Sequence, residues 1–346
     1  MKKISVQITA LLAMSVLSAC SSSGDEFMLE KQCVPLRFTV GITSSGAETR
    51  SGISAADFSD LEDPEIGIFA YTSAAHSAFY GGSAGNNCYV RNAAGLWHES
   101  EASQLIVLSE DNAYLYSYYP YSGEGTNPVA VPVTVKADQG TGQSDGTIDS
   151  GTPDVMYGSV LVINKNLENA TINLKHALAQ VAVRFDRDQS DWTAYFGQGV
   201  IDKLQLTDGG GNALCVGDGT LNVFTGSVTP GTGRTVTVQP VTQPVVGSAD
   251  PSELPTVLVY PSANTGLITF SVHLDGKDYA LALPAPASGF KAAHRYVYGI
   301  TVSRVYEPDK VTPSEISTAE LTPSSISITD WQTDQMESLE IIVPSK

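Results

Sequence analysis

The residue with the most chemistry to offer is a cysteine. Cys20 closes the run Leu17-Ser18-Ala19-Cys20, directly behind a short apolar stretch that follows Met1-Lys2-Lys3. A positive start, an apolar segment and a small-residue cut site make a secretory signal. With cysteine in the first mature position the signal has the pattern of a lipobox. The chemistry of that pattern is thioether lipidation of the sulfur, cleavage before it, and acylation of the amine so released. It assigns residues 1–19 to a signal peptide and lipidation to Cys20, and it leaves residues 20–35 as a lipid tether. Ser21-Ser22-Ser23-Gly24-Asp25-Glu26 has the small and acidic composition of a flexible tether.

A second candidate is an arginine. Residues 36–43 read Leu-Arg-Phe-Thr-Val-Gly-Ile-Thr, with Leu36, Phe38, Val40 and Ile42 alternating with polar or small neighbours. That is the period of a half-buried strand. Small residues follow, then Thr49-Arg50-Ser51-Gly52. An arginine in such a loop suits an Arg-specific protease, because nicking concentrates at loop tips. A cut between Arg50 and Ser51 would detach residues 20–50, lipid and first strand together. On sequence physics alone the plainer reading, a hairpin loop with an exposed arginine, is the stronger. Arg37 is a rival cut site, but it lies inside the expected strand.

Other chemistries find little support. His76, His98, His176, His273 and His294 are scattered, with no H-E-x-x-H pair, no G-x-S-x-G elbow and no G-x-x-x-x-G-K loop. No catalytic residue, metal site or cofactor is expected. A hydrolase built on two carboxylates meeting in a cleft stays open as a remote alternative. Asp208-Gly209-Gly210-Gly211-Asn212 lacks the alternating acidic ligands of a calcium loop and reads as a hairpin turn. Four cysteines occur without a C-x-x-C pair. Once Cys20 is lipidated, Cys33, Cys88 and Cys215 are an odd set, and they read as small hydrophobes more readily than as a Cys33–Cys88 disulfide. Tyr114, Tyr116 and Tyr118 share one strand face. They could stack on a sugar, but read better as core.

The elements that must position these residues are strands. Alternating or β-branched runs occur at 66–71, 104–108, 129–135, 159–163, 170–174, 178–185, 200–206, 234–239, 256–260, 267–274, 278–283, 296–305 and 325–329. Clusters of Gly, Ser, Asn, Asp and Pro separate them. Short helical pieces are expected near 54–61 and 99–104. The chain is therefore all-β, and about 325 mature residues suit two β-sandwiches in series better than one. The junction is expected near 174–181, giving an N-terminal sandwich over 36–176 and a C-terminal one over 177–346. No later segment reaches 18 consecutive apolar residues. A net charge of −18 disfavours nucleic acid and anionic lipid as partners. Near the C-terminus Leu339, Ile341 and Val343 alternate over 338–344 until Pro344. This run is a strand that either completes the second sandwich or is donated to a neighbour.

Several blocks together resemble the fimbrillin (type V pilin) lipoproteins of the Bacteroidota. They are the lipobox, the strand ending in Glu48-Thr49-Arg50, and the run from Ala113 through Tyr119-Pro120-Tyr121. Asp154-Val155-Met156-Tyr157-Gly158, Leu174 to Val181, Tyr296 to Val302 and Ile326 to Trp331 continue it in order. The resemblance implies tandem transthyretin-like antiparallel sandwiches. It also implies export to the outer membrane, surface exposure, and cleavage after Arg50 by an Arg-specific protease. The displaced strand would be that of Leu36, Phe38, Val40 and Ile42, and a donor strand from another fimbrial subunit would replace it in a growing fimbrium. The stalk, tip or anchor role and the receptor stay open. A permanently anchored lipoprotein that binds glycan or protein is the alternative.

Overall fold

A computed structural model describes residues 33–42, 58, 61–82, 85–139, 154–167, 170–189, 194–239, 246–247, 254–304, 319–330 and 333–339. For Arg304, 319–320, 323–330 and 333–339 only the backbone is described. These residues hold twenty-two strands, β1 to β22 in chain order, and two 3-10 turns, Tyr80–Gly82 and Ala102–Gln104. The protein is all-β, as the turn-rich, alternating sequence predicts. The second expected helical piece is the turn at Ala102–Gln104; of 54–61 only Phe58 and Leu61 are described.

Five sheets form. The largest runs β2 (Phe38–Ile42), β11 (Ala170–His176), β9 (Met156–Gly158), β7 (Ala113–Tyr119), β3 (Glu65–Tyr71), β4 (Asn87–Arg91) and β5 (Trp97–Glu99), with β10 (Leu161–Ile163) also pairing β7. A five-stranded sheet runs β17 (Thr256–Val259), β12 (Ala179–Arg187), β20 (His294–Arg304), β21 (Ala319–Asp330) and β22 (Thr333–Leu339). A four-stranded sheet runs β16 (Thr235–Val238), β13 (Ile201–Asp208), β18 (Leu267–Leu274) and β19 (Lys277–Pro284). Three short strands, β15 (Val228–Thr229), β14 (Gly217–Leu221) and β8 (Val131–Val135), form another, and β1 (Val34–Pro35) pairs β6 (Val107–Leu108).

Two apolar cores lie between these sheets. The smaller gathers Leu36, Phe38, Ile42, Ile66, Ile68, Tyr89, Trp97, Ile106, Leu115 and Leu174, among others. The larger is built mostly from residues beyond 177. The largest sheet serves both. In β3, Ile66, Ile68 and Ala70 face the smaller core while Phe69 and Tyr71 face the larger; in β7, Leu115 and Tyr116 divide in the same way. Burial on two faces leaves both strands without an apolar–polar alternation. Core membership does not follow chain order throughout. Residues of β8 precede the second half of the chain, yet Val131, Val133 and Val135 pack in the larger core and pair with β14.

Most ladders are antiparallel, with two parallel exceptions that match one another. β2 pairs parallel with β11, and β12 pairs parallel with β20. Their surroundings differ. β12 lies between β17 and β20, held by two ladders, whereas among the described residues β2 ends its sheet with β11 as its one neighbour there. Only one of the two can leave without breaking a sheet in the middle.

Candidate functional site

The site is the seam that residues 34–42 make with the smaller core. It has two attachments. Val34 and Pro35 lie opposite Leu108 and Val107, and the Leu36 N–H donates to the Ile106 carbonyl at 2.8 Å. After Arg37, which is exposed, the chain passes to β11, where Phe38 through Ile42 register with Ala170 through Leu174. The Thr39 and Thr171 hydroxyl oxygens are 3.1 Å apart on the exposed face.

Leu36, Phe38 and Ile42 are 2%, 8% and 9% exposed, and Val40 is half-buried against the same core. Gly41 falls opposite Asn173, where a Cβ would meet the Asn173 side-chain oxygen at 3.3 Å, so a bulkier residue would crowd the ladder. The strand's inner face thus packs on the smaller core while its backbone pairs with β11. Each fully buried apolar side chain contributes about 1.5–3 kcal/mol, so the three buried residues give roughly 5–9 kcal/mol gross. That is an upper estimate, because unfolded chains already bury some area.

Phe38 occupies the most specific position. Its ring meets Tyr89 edge-on at 5.3 Å between centroids and stacks with Trp97 at 5.9 Å. Trp97 in turn stacks with Phe58 at 6.1 Å, and Phe58 meets Tyr119 edge-on at 5.2 Å. The Tyr89 hydroxyl accepts the Ile106 N–H at 3.0 Å, and burial pushes its pKa up to about 12, so the ring stays neutral. Offset and edge-to-face ring pairs such as these contribute beyond their buried area. The walls come from the β4–β5 hairpin. Its turn is tied by Asn92, whose side-chain oxygen accepts the N–H groups of Ala94 and Leu96, with Gly95 at φ +79°.

The other sequence candidates fall as follows. Cys20, Arg50 and Ser51 lie outside the described residues; in the chain, Arg50 comes between β2 and β3. Leu339 is the last residue of β22, which pairs with β21 opposite Ile326, while Ile341 and Val343 lie outside the described residues. Leu36, Phe38, Val40 and Ile42 come together on one core; Leu339 belongs to a different sheet. Sequence reading missed Phe58, Tyr89 and Trp97 as the walls of the Phe38 slot. The available signal was the Asn92–Gly95 turn between two aromatic-bearing segments.

Elsewhere the polar groups serve the fold. His176 Nδ1 and Asp154 Oδ2 are 2.7 Å apart, both buried, and the Ala177 N–H donates to the Val155 carbonyl at 2.7 Å. The pair fixes the turn out of β11 as the chain leaves the largest sheet. The Asp208 carboxylate accepts the N–H groups of Gly210, Asn212, Ala213 and Leu214 at 2.7–3.2 Å. Burial would raise its pKa, but those four bonds hold it below the usual value. A carboxylate saturated by amide protons caps a turn and is poorly placed to ligate a cation. Tyr116 and Tyr118 are buried in the larger core, with Tyr114 packed against it. Cys88 and Cys215 are buried and not in a disulfide, and Cys33 is half-buried. Burial pushes the Cys88 thiol up to about 11. Among the described residues no group of three His, Cys, Asp or Glu side chains could hold a metal, and no helix is long and apolar enough to cross a membrane.

Fold and seam together define a class: an all-β protein with two cores, one of which is closed by a strand held at a sheet edge. The chain belongs to the fimbrillin-like family, whose sequence profile matches residues 55–331. The matched stretch begins after Arg50, so the seam strand precedes it. Similar folds occur in two Bacteroides proteins provisionally described as cell adhesion proteins. The one from Bacteroides ovatus is 14% identical with a TM-score of 0.57, over 85% of this chain and 97% of its own. The one from Bacteroides uniformis is 18% identical with a TM-score of 0.56, over 88% and 100%. No curated protein matches the chain.

Proposed function

We propose that this chain is a structural or adhesive subunit of a fimbrium, exported as a lipoprotein and matured by removal of its first strand. Lipid on Cys20 holds the precursor at the outer membrane, exposed on the surface. An Arg-specific protease cuts between Arg50 and Ser51, and residues 20–50 depart with Leu36, Phe38, Val40 and Ile42. The groove they leave takes a donor strand from another fimbrial subunit, and Leu339, Ile341 and Val343 are this chain's own candidate donor. Residues 36–176 and 177–346 then act as two sandwiches, the first accepting a strand and the second offering one. The role is non-enzymatic.

The observation that carries this reading is the position of β2. With Phe38 and Ile42, and with Leu36 just before it, it seals an apolar core, yet among the described residues it ends its sheet and is tied there to β11 alone. An opened edge beside an apolar slot is a template for strand addition, where backbone bonds give affinity and side-chain pockets give selectivity. The test is the Arg50→Ala chain beside the parent, each treated with an Arg-specific protease. N-terminal sequencing and native electrophoresis follow. The parent is expected to yield a body starting at Ser51 that forms ladders, and the variant, in an Arg37→Gln background, to yield no such body and remain a monomer. Ladders from the uncut variant would rule the route out. A parent cut at Ser51 that stays monomeric would favour a permanently anchored binding lipoprotein.

A further inference from the structure

We infer that the groove selects an incoming strand with an aromatic residue at the position of Phe38, and that the chain's own tail is therefore not its preferred occupant. The inference rests on the strand-exchange reading above and deepens it by naming the partner's chemistry. Four slots follow one another along the seam at two-residue spacing, now filled by Leu36, Phe38, Val40 and Ile42. They are not equivalent. The Val40 slot is half-open, and the Leu36 and Ile42 slots hold branched aliphatic side chains. The Phe38 slot has aromatic walls: Tyr89 at 5.3 Å edge-on and Trp97 at 5.9 Å in a stack, with Phe58 and Tyr119 behind Trp97. Phe58, Tyr89, Trp97 and Tyr119 all lie beyond Arg50, so the walls stay with the body after the cut.

Residues 338–344 offer Leu339, Ile341 and Val343 at the same spacing. Slid along the groove in either register, or reversed, they put an aliphatic residue in the ring-shaped slot. No Phe, Tyr or Trp occurs anywhere from 332 to 346. An aliphatic side chain there would forfeit the ring contacts and leave a void against Trp97, a loss of roughly tenfold or more in affinity. The partner that fits best is a strand with an aromatic residue flanked at two-residue spacing by branched aliphatics; copies of this chain joined tail to groove form ladders, but as the weaker assembly.

The test uses the full mature chain in an Arg37→Gln background, nicked after Arg50 so that the resident strand remains bound. Four peptides compete for the groove: residues 34–43, the same with Phe38→Tyr, the same with Phe38→Ile, and residues 337–344. Native mass spectrometry reads the bound fraction at equilibrium, and Trp97 emission, with Trp192 and Trp331 replaced by phenylalanine, gives an independent signal. The Phe and Tyr peptides are expected to bind at least tenfold more tightly than the Ile and 337–344 peptides. Equal binding of the Ile peptide, or of 337–344, overturns the aromatic requirement and leaves strand exchange standing. If no peptide displaces the strand, even one weakened by Phe38→Ala, the strand-exchange reading itself falls. In the un-nicked chain Phe38→Tyr should preserve the unfolding midpoint and Phe38→Leu lower it. The reverse order overturns the slot assignment without relying on exchange.

Discussion

Replacing Phe38 by alanine puts the seam under the most informative strain. The side chain is 8% exposed and touches the rings of Tyr89 and Trp97, so its removal leaves a cavity walled by residues that the β4–β5 hairpin holds in place. Phe→Ala in a core of this kind costs about 3–5 kcal/mol. With a urea slope of about 3 kcal/mol per molar, the midpoint of the smaller core should fall by roughly 1–1.7 M. Trp97 stacks on the deleted ring, so with Trp192 and Trp331 replaced by phenylalanine the fluorescence follows that core. Thr39→Ala is the control: the residue is exposed on the same strand, and its loss should fall within about 0.5 kcal/mol. In a chain nicked after Arg50 the same free energy becomes affinity, weakening retention of the strand by about a hundred- to a few-thousand-fold. If Phe38→Ala moves the midpoint no further than Thr39→Ala, the strand does not seal the core and the groove argument fails.

Other outcomes follow from the same geometry. Gly67→Ala should destabilise by about 1–3 kcal/mol in thermal melts, since the new methyl would sit 2.0 Å from the Tyr118 ring. The carboxyls of Asp208 and Asp275 are both held below the usual value, in each case by hydrogen bonds that outweigh burial; for Asp275 the donors are the Tyr195 hydroxyl and the N–H groups of Gly199 and Val200. Their contribution is present above the unfolded pKa of about 3.9 and is lost as pH falls through the lower folded values. Acid unfolding of the larger core should therefore be shallower in Asp208→Asn, read by circular dichroism between neutral and strongly acidic pH. Cys88 and Cys215, buried with raised pKa, should resist iodoacetamide at pH 8 in the native chain and react on unfolding, as mass spectrometry would report.

How much of this was legible in the sequence depended on how many faces of a strand are buried. β2, β11 and β18 each turn one side to solvent or to half-exposed surface, and their alternation was readable residue by residue. β4 was not, because Asn87, Cys88 and Tyr89 are all buried, so the period of two disappears. β9 and β14 are short, and β14 carries two glycines and an aspartate, which read as turn rather than strand. The apolar face of the candidate site was legible for the same reason as β2 itself. Its aromatic walls were not, because Phe58, Tyr89, Trp97 and Tyr119 are separated in sequence and meet only through sheet order. The tyrosines of β7 were readable as core, but the core they enter is the larger one, a consequence of a sheet covered on both faces.

The central claim is that β2 must leave before subunits join, and a reversible lock on that strand tests it most directly. Thr39 and Thr171 face each other across the β2–β11 ladder with their hydroxyl oxygens 3.1 Å apart, both exposed. Cysteines at both positions, oxidised to a disulfide, would tie the strand to the body after the cut at Arg50. Native electrophoresis of the nicked, locked chain should show monomer only, with ladders appearing once the bond is reduced. Ladders that form equally well under the lock would contradict the account.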